Sequence, residues 1–492
     1  MSTTEKRPVL DPTVPSDREY ALRRAIDGLR DDDPMSSASI PVVGWQRVVL
    51  WSSLVIIIGF AAWQHLSTAI FLIGACTAAY LLTMADRVLI FRQGLASRAF
   101  VIPDERARAI PDVDLPPYTI LVPAYNEPEV VGDLIGAMAA LEYPRDKLQV
   151  LLLLEADDDV TIAAARECAE SDAITILLVP PAEPRTKPKA CNYGLHFATG
   201  EIVTIFDAED VPEPLQLRRV VAAFRDLPDE VACIQAKLVY HNGHQNILTG
   251  WFTAEYGLWF GYLLPGMMGS TSPIPLGGTS NHLRRDVLDD IGAWDPFNVT
   301  EDADLGLRIA ARGYRTAVVD SYTLEEANSD PINWIRQRSR WYKGYLQTWL
   351  VHIRRPVRLY RTLGLRSFVR FNLVLGGTPV VAVLNLVFWF ITLVWFLGQP
   401  PVVEDVFPPY IYFPALIALV LGNAATMYMN LIALREDDRS DLLLAGVTVP
   451  VFWLMMSVAA AKGCYQLIRN PSYWEKTFHG LAEKPAEAES GP

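Results

Sequence analysis

Cysteine is scarce and scattered. The five (Cys76, Cys168, Cys191, Cys233 and Cys464) form no C-x-x-C pair, which argues against a zinc site and against a disulfide framework. No G-x-G-x-x-G or P-loop follows an apolar run, so a dinucleotide-binding dehydrogenase and a P-loop NTPase are disfavoured. Internal repeats are lacking. So is basic excess: 43 Lys and Arg against 56 Asp and Glu leave a formal charge of −13, which speaks against a nucleic-acid partner.

Charge is also missing locally. Segments 48–63 and 66–84 are nearly free of it and stand as a close pair, the pattern of a helical hairpin through a bilayer. Stretches 374–397, 411–434 and 442–467 are each long enough to cross about 30 Å of hydrocarbon, so at least five spans are expected. The chain then divides into an arm (1–45), a membrane hairpin (46–90), a soluble domain (91–350), an amphipathic interface segment (351–373), a second membrane group (374–468) and a tail (469–492). The arm is polar and rich in Asp and Arg, and is expected to be disordered apart from a short helix over 17–30. Arg47, Arg87, Arg92 and Arg98 flank the hairpin, and Arg354, Arg355, Arg358, Arg361, Arg366 and Arg370 precede the third span. This places the domain on the cytoplasmic side of the plasma (inner) membrane, with the second cluster against anionic lipid. Two spans before the domain and three after put the tail outside, unless a re-entrant element around Gly376, Gly377 and Pro379 returns it.

Within the domain, short apolar runs at 118–122, 150–154, 174–179 and 202–206 end in polar or Pro-containing loops, as buried parallel strands do. Helix-forming stretches at 130–141 and 161–170 lie between them, giving an α/β fold whose ligands gather at the carboxyl ends of the strands. The densest acid falls there. The aromatic run 251–262 and the Pro- and Gly-containing segment 263–278 read either as a membrane-surface element or as an ordinary buried aromatic helix.

Several motifs carry chemistry. Asp207, Glu209 and Asp210 follow the fourth strand, where two carboxylates can converge on a magnesium or manganese ion bearing a diphosphate; for Asp210, capping the next helix stands beside metal binding. Asp302, between Thr300-Glu301 and Asp304 at a helix start, suits a general base whose proton affinity its neighbours adjust. Gln337, Arg340 and Trp341 share one helical face, where the guanidinium can neutralise a departing diphosphate and the indole can support a sugar ring. Trp334 and Arg336 suit an interfacial anchor better. Lys187 and Lys189 form a plausible wall for phosphates. Gly277 and Gly278 let backbone approach a ligand beside the polar groups of Thr279, Ser280 and Asn281.

Taken in order, T-E-D and Q-x-x-R-W with acids upstream and apolar helices on both flanks resemble family 2 of the inverting glycosyltransferases. The likeness is to the membrane-embedded processive branch of cellulose, hyaluronan and chitin synthases. The resemblance implies a GT-A-type nucleotide-sugar-binding domain, with a mixed, mostly parallel sheet, inserted between groups of transmembrane helices. It implies that Tyr125 and Glu127 border the nucleotide, that Glu155 or Asp157 holds the uracil, and that Asp207 and Glu209 stand for the D-x-D metal motif. Asp302 would be the base, with Gln337, Arg340 and Trp341 as the signature beyond it. Gly277 to Asn281 would flank the acceptor's terminal sugar. Asn298 to Gly306 and Tyr473 to Thr477 are similar to a bacterial cellulose-synthase-like subgroup. That similarity implies a β-glucan made from UDP-glucose on a growing polysaccharide acceptor, passed through the membrane helices to a possible cell-envelope export partner. Transfer of one sugar to a lipid carrier is the rival reading.

Overall fold

The computed structural model describes residues 9–168 and 174–476. Helix α1 (Pro15–Asp32) carries Ala21, Ala25 and Leu29, spaced by four and all buried. That single apolar stripe docks an otherwise polar segment on the domain. The chain beyond it is latched: Asp295 accepts the Ala38 N–H at 2.5 Å, and Arg354 donates to the carbonyls of Met35 and Ser37, each at 2.9 Å. The expected disordered arm is therefore corrected for residues 9–43, which are packed. Two apolar helices follow, α2 (Gly44–Trp63) and α3 (His65–Ala96).

Strands β1 (Tyr118–Ala124), β2 (Leu148–Glu155), β3 (Ile174–Val179) and β4 (Ile202–Ile205) form the parallel half of an eight-stranded sheet. Their alternation explains both covers. Ile120 and Val122 of β1 and Leu152 and Leu154 of β2 face α4 (Val131–Ala139) and α6 (Gln216–Asp226), while Leu121, Leu151 and Leu153 face α5 (Lys187–Leu195) and α1. The rest of the sheet is mixed. In the order β3-β2-β1-β4-β7-β6-β8-β5, β7 (Asn281–Arg284) runs antiparallel between β4 and β6 (Val231–Tyr240). Strand β8 (Arg315–Glu325) is parallel to β6, and the two-residue β5 (Val211–Pro212) closes the edge. The predicted helix 161–170 is found as Asp159–Cys168; its last two expected positions lie outside the described residues.

Helix α7 (Ile247–Leu258) holds most of the aromatic run. Trp251 and Phe252 are buried, so the reading as a buried helix prevails. Helices α8 (Glu301–Ala311) and α9 (Pro331–His352) carry the two motifs. Trp334 on α9 is fully buried against Phe452, with ring centroids 4.9 Å apart, so it is a core residue and not an interfacial anchor.

Three more helices are apolar and long enough to cross a membrane, which with α2 and α3 makes five among the described residues: α10 (Pro356–Gly398), α11 (Pro409–Glu436) and α12 (Ser440–Arg469). No re-entrant loop lies around Gly376, where Asn372–Gly377 is a π-helical turn; α10 is instead kinked at Gly364, whose φ is +74°. Gly376 serves packing, because a Cβ there would lie 2.9 Å from the Trp349 indole nitrogen. Arg370 pairs with Asp86 of α3 at 2.9 Å and donates to Ser272 at 2.8 Å, tying two apolar helices to the domain. Helix α12 follows α9. Trp251 donates to Thr448 near its start, Gly463 sits where a Cβ would be 2.7 Å from the Ser339 carbonyl, and beyond its end Lys476 donates to the Tyr125 carbonyl at 2.9 Å. Residues 471–476 thus lie beside the domain.

Candidate active site

A cavity of about 620 Å³ opens along the carboxyl edge of the sheet and continues between α3, α10, α11 and α12. Strand ends, loops and two helices each deliver part of its wall. Tyr125 and Glu127 follow β1, Glu155 ends β2, Asp207 and Glu209 follow β4, Gly277 and Gly278 precede β7, Glu301 and Asp302 open α8, and Gln337, Arg340 and Trp341 come from α9. Open α/β sheets place ligands at this edge because the loops there diverge while the strands hold their roots.

The electrostatics centre on three acids and two cations. Burial, reinforced by the neighbouring Asp302, pushes Glu301 up to about 8. Burial likewise raises Asp302, against the Ala303 N–H that its Oδ1 accepts at 2.7 Å and against the positive fields of Lys187 and Arg340. A carboxylate with raised proton affinity is the condition a general base needs. Burial opposes the charge of Lys187, yet Asp207 and Glu301 outweigh it and hold the ammonium above the ordinary lysine range. Its Nζ bonds Asp207 and donates to the Gly278 carbonyl at 2.7 Å, bridging the acid after β4 to the glycine loop. Burial lowers Arg340, offset by Glu301, Asp302 and Asp207. All three acids therefore act on one guanidinium.

Not every expected site residue reaches the cleft. Asp210 is 1% exposed; its Oδ2 accepts the Asp207 N–H at 2.7 Å and the Thr279 hydroxyl, which closes the turn after β4. The metal reading of Asp210 is corrected accordingly. Thr279, Ser280 and Asn281 are likewise buried, spent on Ile205 O (3.0 Å), Thr323 Oγ1 (2.6 Å) and Gly277 O (2.8 Å). Only the two glycines of that segment face the cavity, so the acceptor assignment fails for the three polar residues. Lys189 is fully buried and pairs with Glu155 at 2.7 Å, which makes it a support for that acid and not a phosphate wall. Burial raises Glu155, with Lys189 pulling it back. Asp157 pairs at the surface with Arg185 at 2.7 Å, and Arg185 lines the rim.

Some lining residues escaped the motif reading. Arg338, between the signature residues, is buried, binds Glu255 through both nitrogens of its fork, and stacks 4.6 Å above the Trp341 ring. Phe252 and Tyr256 complete that aromatic cluster, so Trp341 is fixed before any ligand arrives. From the tail, Trp474 lies 4.4 Å from the Arg340 guanidinium, and Glu475 is held by Lys462 (2.7 Å) and Gln466 (2.8 Å). The sequence signal for this is the stretch Tyr473 to Thr477, whose likeness to a glycan-synthase subgroup carries no position in the fold. Thr477 lies outside the described residues.

Among the described residues, no group of three or more His, Cys, Asp or Glu is placed to hold a metal ion by itself. A divalent ion still fits the donor set. Asp207 and Glu209 offer hard carboxylate oxygens at the cleft, and magnesium usually takes one or two carboxylates and draws its remaining ligands from substrate phosphates and water.

This architecture, with acids at the carboxyl edge of a mixed and mostly parallel sheet and apolar helices on both sides, is a GT-A-like fold. Residues 116–344 match the family described as "Glycosyltransferase like family 2". Over 383 residues the chain is 27% identical to the beta-monoglucosyldiacylglycerol synthase of Trichormus variabilis, covering 74% of this chain and 77% of that protein. It is 27% identical over 235 residues to "Probable glycosyltransferase YdaM" of Bacillus subtilis (strain 168), a match spanning 47% of this chain and only 56% of that relative. In fold it is similar to the mannosyltransferase PcManGT from Pyrobaculum calidifontis, solved in complex with GDP-Man and Mn2+. The TM-score is 0.51 at 20% identity, over 82% of this chain and 99% of the other.

Proposed function

We propose that this protein is a membrane-bound inverting glycosyltransferase that extends a β-linked glycan, a β-glucan from UDP-glucose, and feeds it into the membrane helices. The observation that carries this reading is the continuity of one cavity from Asp207, Asp302 and Arg340 to the walls of α3, α10 and α11. Tyr125, Glu127 and Glu155 border the donor's base and ribose, with Arg185 and Lys187 toward its phosphates. Asp302 takes the proton of the acceptor hydroxyl as that oxygen bonds to the anomeric carbon. The bond from that carbon to the diphosphate oxygen breaks on the opposite face, inverting the centre without a covalent enzyme intermediate. Arg340 meets the charge that grows on the leaving diphosphate. A magnesium or manganese ion held by Asp207 and Glu209 would neutralise part of the same charge. Trp341, held by Arg338 and Tyr256, offers its ring to the acceptor sugar.

The domain lies on the cytoplasmic side in this reading. Four helices cross, while α12, in contact with the domain near both ends, lies along the boundary and leaves the tail beside the cleft. A second reading has an observation of its own: Val374, Val381, Ala382, Phe452 and Met456 make the membrane arm of the cavity largely apolar, which suits a lipid acceptor receiving a single sugar. Product analysis separates the two. Purified protein given UDP-glucose and Mg2+ should yield water-insoluble or long glucan that a β-glucanase degrades. A product confined to a chloroform-soluble monoglycosyl lipid overturns polymerisation, and failure to release UDP from any nucleotide sugar overturns transfer.

A further inference from the structure

A second cavity, of about 80 Å³, lies on the back of the domain where the end of α1, α8, α9 and the start of α10 meet. Its wall is cationic. Arg308, Arg312, Arg354, Arg355, Arg358 and His352 line it, and Asp33 is the one carboxylate among the lining residues. Asp33 is already engaged, accepting the Ser36 hydroxyl at 2.8 Å.

The inner cations are only partly satisfied. Arg308 gives Nε to Asp304 and Nη1 to the Ile291 carbonyl, both at 2.8 Å, and His352 Nε2 bonds the other oxygen of Asp304 at 2.8 Å. Arg354 spends its two Nη groups on the arm carbonyls. Yet Arg308 Nη2 and Arg354 Nε are buried without any partner, in residues that are each only 4% exposed. An unanswered buried donor is costly, and more so when charged, so two such groups beside one cavity point to a missing acceptor. Arg355 and Arg358 stand exposed at the rim, and neither pairs with a carboxylate among the described residues. Helix α10 begins here, adding the positive end of its dipole.

Size and setting narrow the ligand. The cavity is far below the roughly 300 Å³ of a site for a whole nucleotide or drug-sized molecule, but one phosphate group suits it. Val357 and Tyr360 are exposed on the opening turns of α10, an apolar face beside arginines that is typical of a bilayer surface. We infer that this cavity is a phosphate-binding site at the membrane boundary, made to receive the terminal phosphate of an anionic lipid headgroup; free phosphate would offer the same oxygens. The site lies at the far end of α8 from Asp302 and does not depend on the glycosyltransferase reading.

The test uses the full chain in phosphatidylcholine nanodiscs, plain or carrying phosphatidic acid or phosphatidylserine, and in detergent with inorganic phosphate against chloride at equal ionic strength. The readout is the thermal unfolding midpoint, which rises for any ligand bound only by the folded state. Arg355→Ala/Arg358→Ala and Arg312→Ala change exposed side chains and should unfold as the parent does in plain phosphatidylcholine. We expect phosphatidic acid to raise the parent's midpoint by a few degrees and both variants to lose most of that rise. A rise with inorganic phosphate alone, lost in the variants, keeps the site and assigns it to a soluble ligand. Equal rises with phosphatidylserine, rises that survive in the variants, or no rise in either arm overturn the inference.

Discussion

Replacing Glu301 by Gln should stabilise the protein, and more so as the pH rises. Glu301 is 5% exposed beside Asp302, and its carboxyl is pushed from the usual 4.5 to about 8. Between those two values the folded chain keeps a proton that the unfolded chain has released, so raising the pH through that window costs stability. The full displacement corresponds at most to something on the order of 5 kcal/mol above pH 8, since each pH unit between the two values is worth about 1.4 kcal/mol. Asp302, Lys187 and Arg340 share the same field, so about half of that is a fair expectation, or about 5 °C in the unfolding midpoint. Glutamine keeps the shape and carries no proton to lose. Midpoints followed by tryptophan fluorescence at pH 5, 6, 7 and 8 should nearly coincide for Glu301→Gln and the parent at the acid end and separate steadily above it. Parallel pH curves, or a variant less stable at pH 8, would refute the assignment of that burial cost to Glu301.

Asp302→Asn should lower transfer by about 10²–10⁴-fold with the unfolding midpoint nearly unchanged, measured as UDP release; residual activity within tenfold of the parent removes the base role. Trp341→Ala should shorten or abolish product but also loosen the cluster with Phe252 and Tyr256, at a cost of about 3 kcal/mol. Trp341→Phe, which keeps a ring, should fold normally and restore part of the product length seen by gel filtration. Gly306→Ala places a methyl 2.0 Å from the Ile274 carbonyl oxygen and should destabilise by about 3 kcal/mol or more, whereas the exposed Gly136, with nothing near its Cβ position, should accept Ala with a gain of about 0.5–1 kcal/mol; chemical unfolding of the two variants checks both signs.

The parallel strands were legible because Ile120, Leu121 and Val122, and their partners in β2, are apolar on both faces and end where acids begin. The cleft acids were legible for the same reason, since the end of a buried strand is where a carboxylate can meet a ligand. Polar residues of the same type next to them were not. Thr279 and Asp210 read as ligands but bond each other, and a sequence does not say which of two neighbouring oxygens turns inward. The docking of the arm, whose helix over 17–30 was expected and is found at Pro15–Asp32, and the place of the tail were missed on a different ground. Ala21, Ala25 and Leu29 form too narrow a stripe to stand out in a polar stretch, and the contact of Lys476 with Tyr125 spans the whole domain in sequence, beyond the reach of local periodicity. The identity of the buried cation was also hidden: among Arg336, Arg338 and Arg340, only Glu255 on another helix marks Arg338 for the interior.

The latch at Arg354 has a bearing on how the molecule is made. The carbonyls it gathers belong to Met35 and Ser37, which leave the ribosome more than three hundred residues before it does, and Asp295, the other anchor, follows them almost as late. The stretch around residues 35–38 must therefore wait, unlatched, while the hairpin inserts and the sheet assembles, and this latch can close only as one of the final events. A nascent chain halted short of residue 354 should leave the stretch 33–43 open to protease, and a completed one should not.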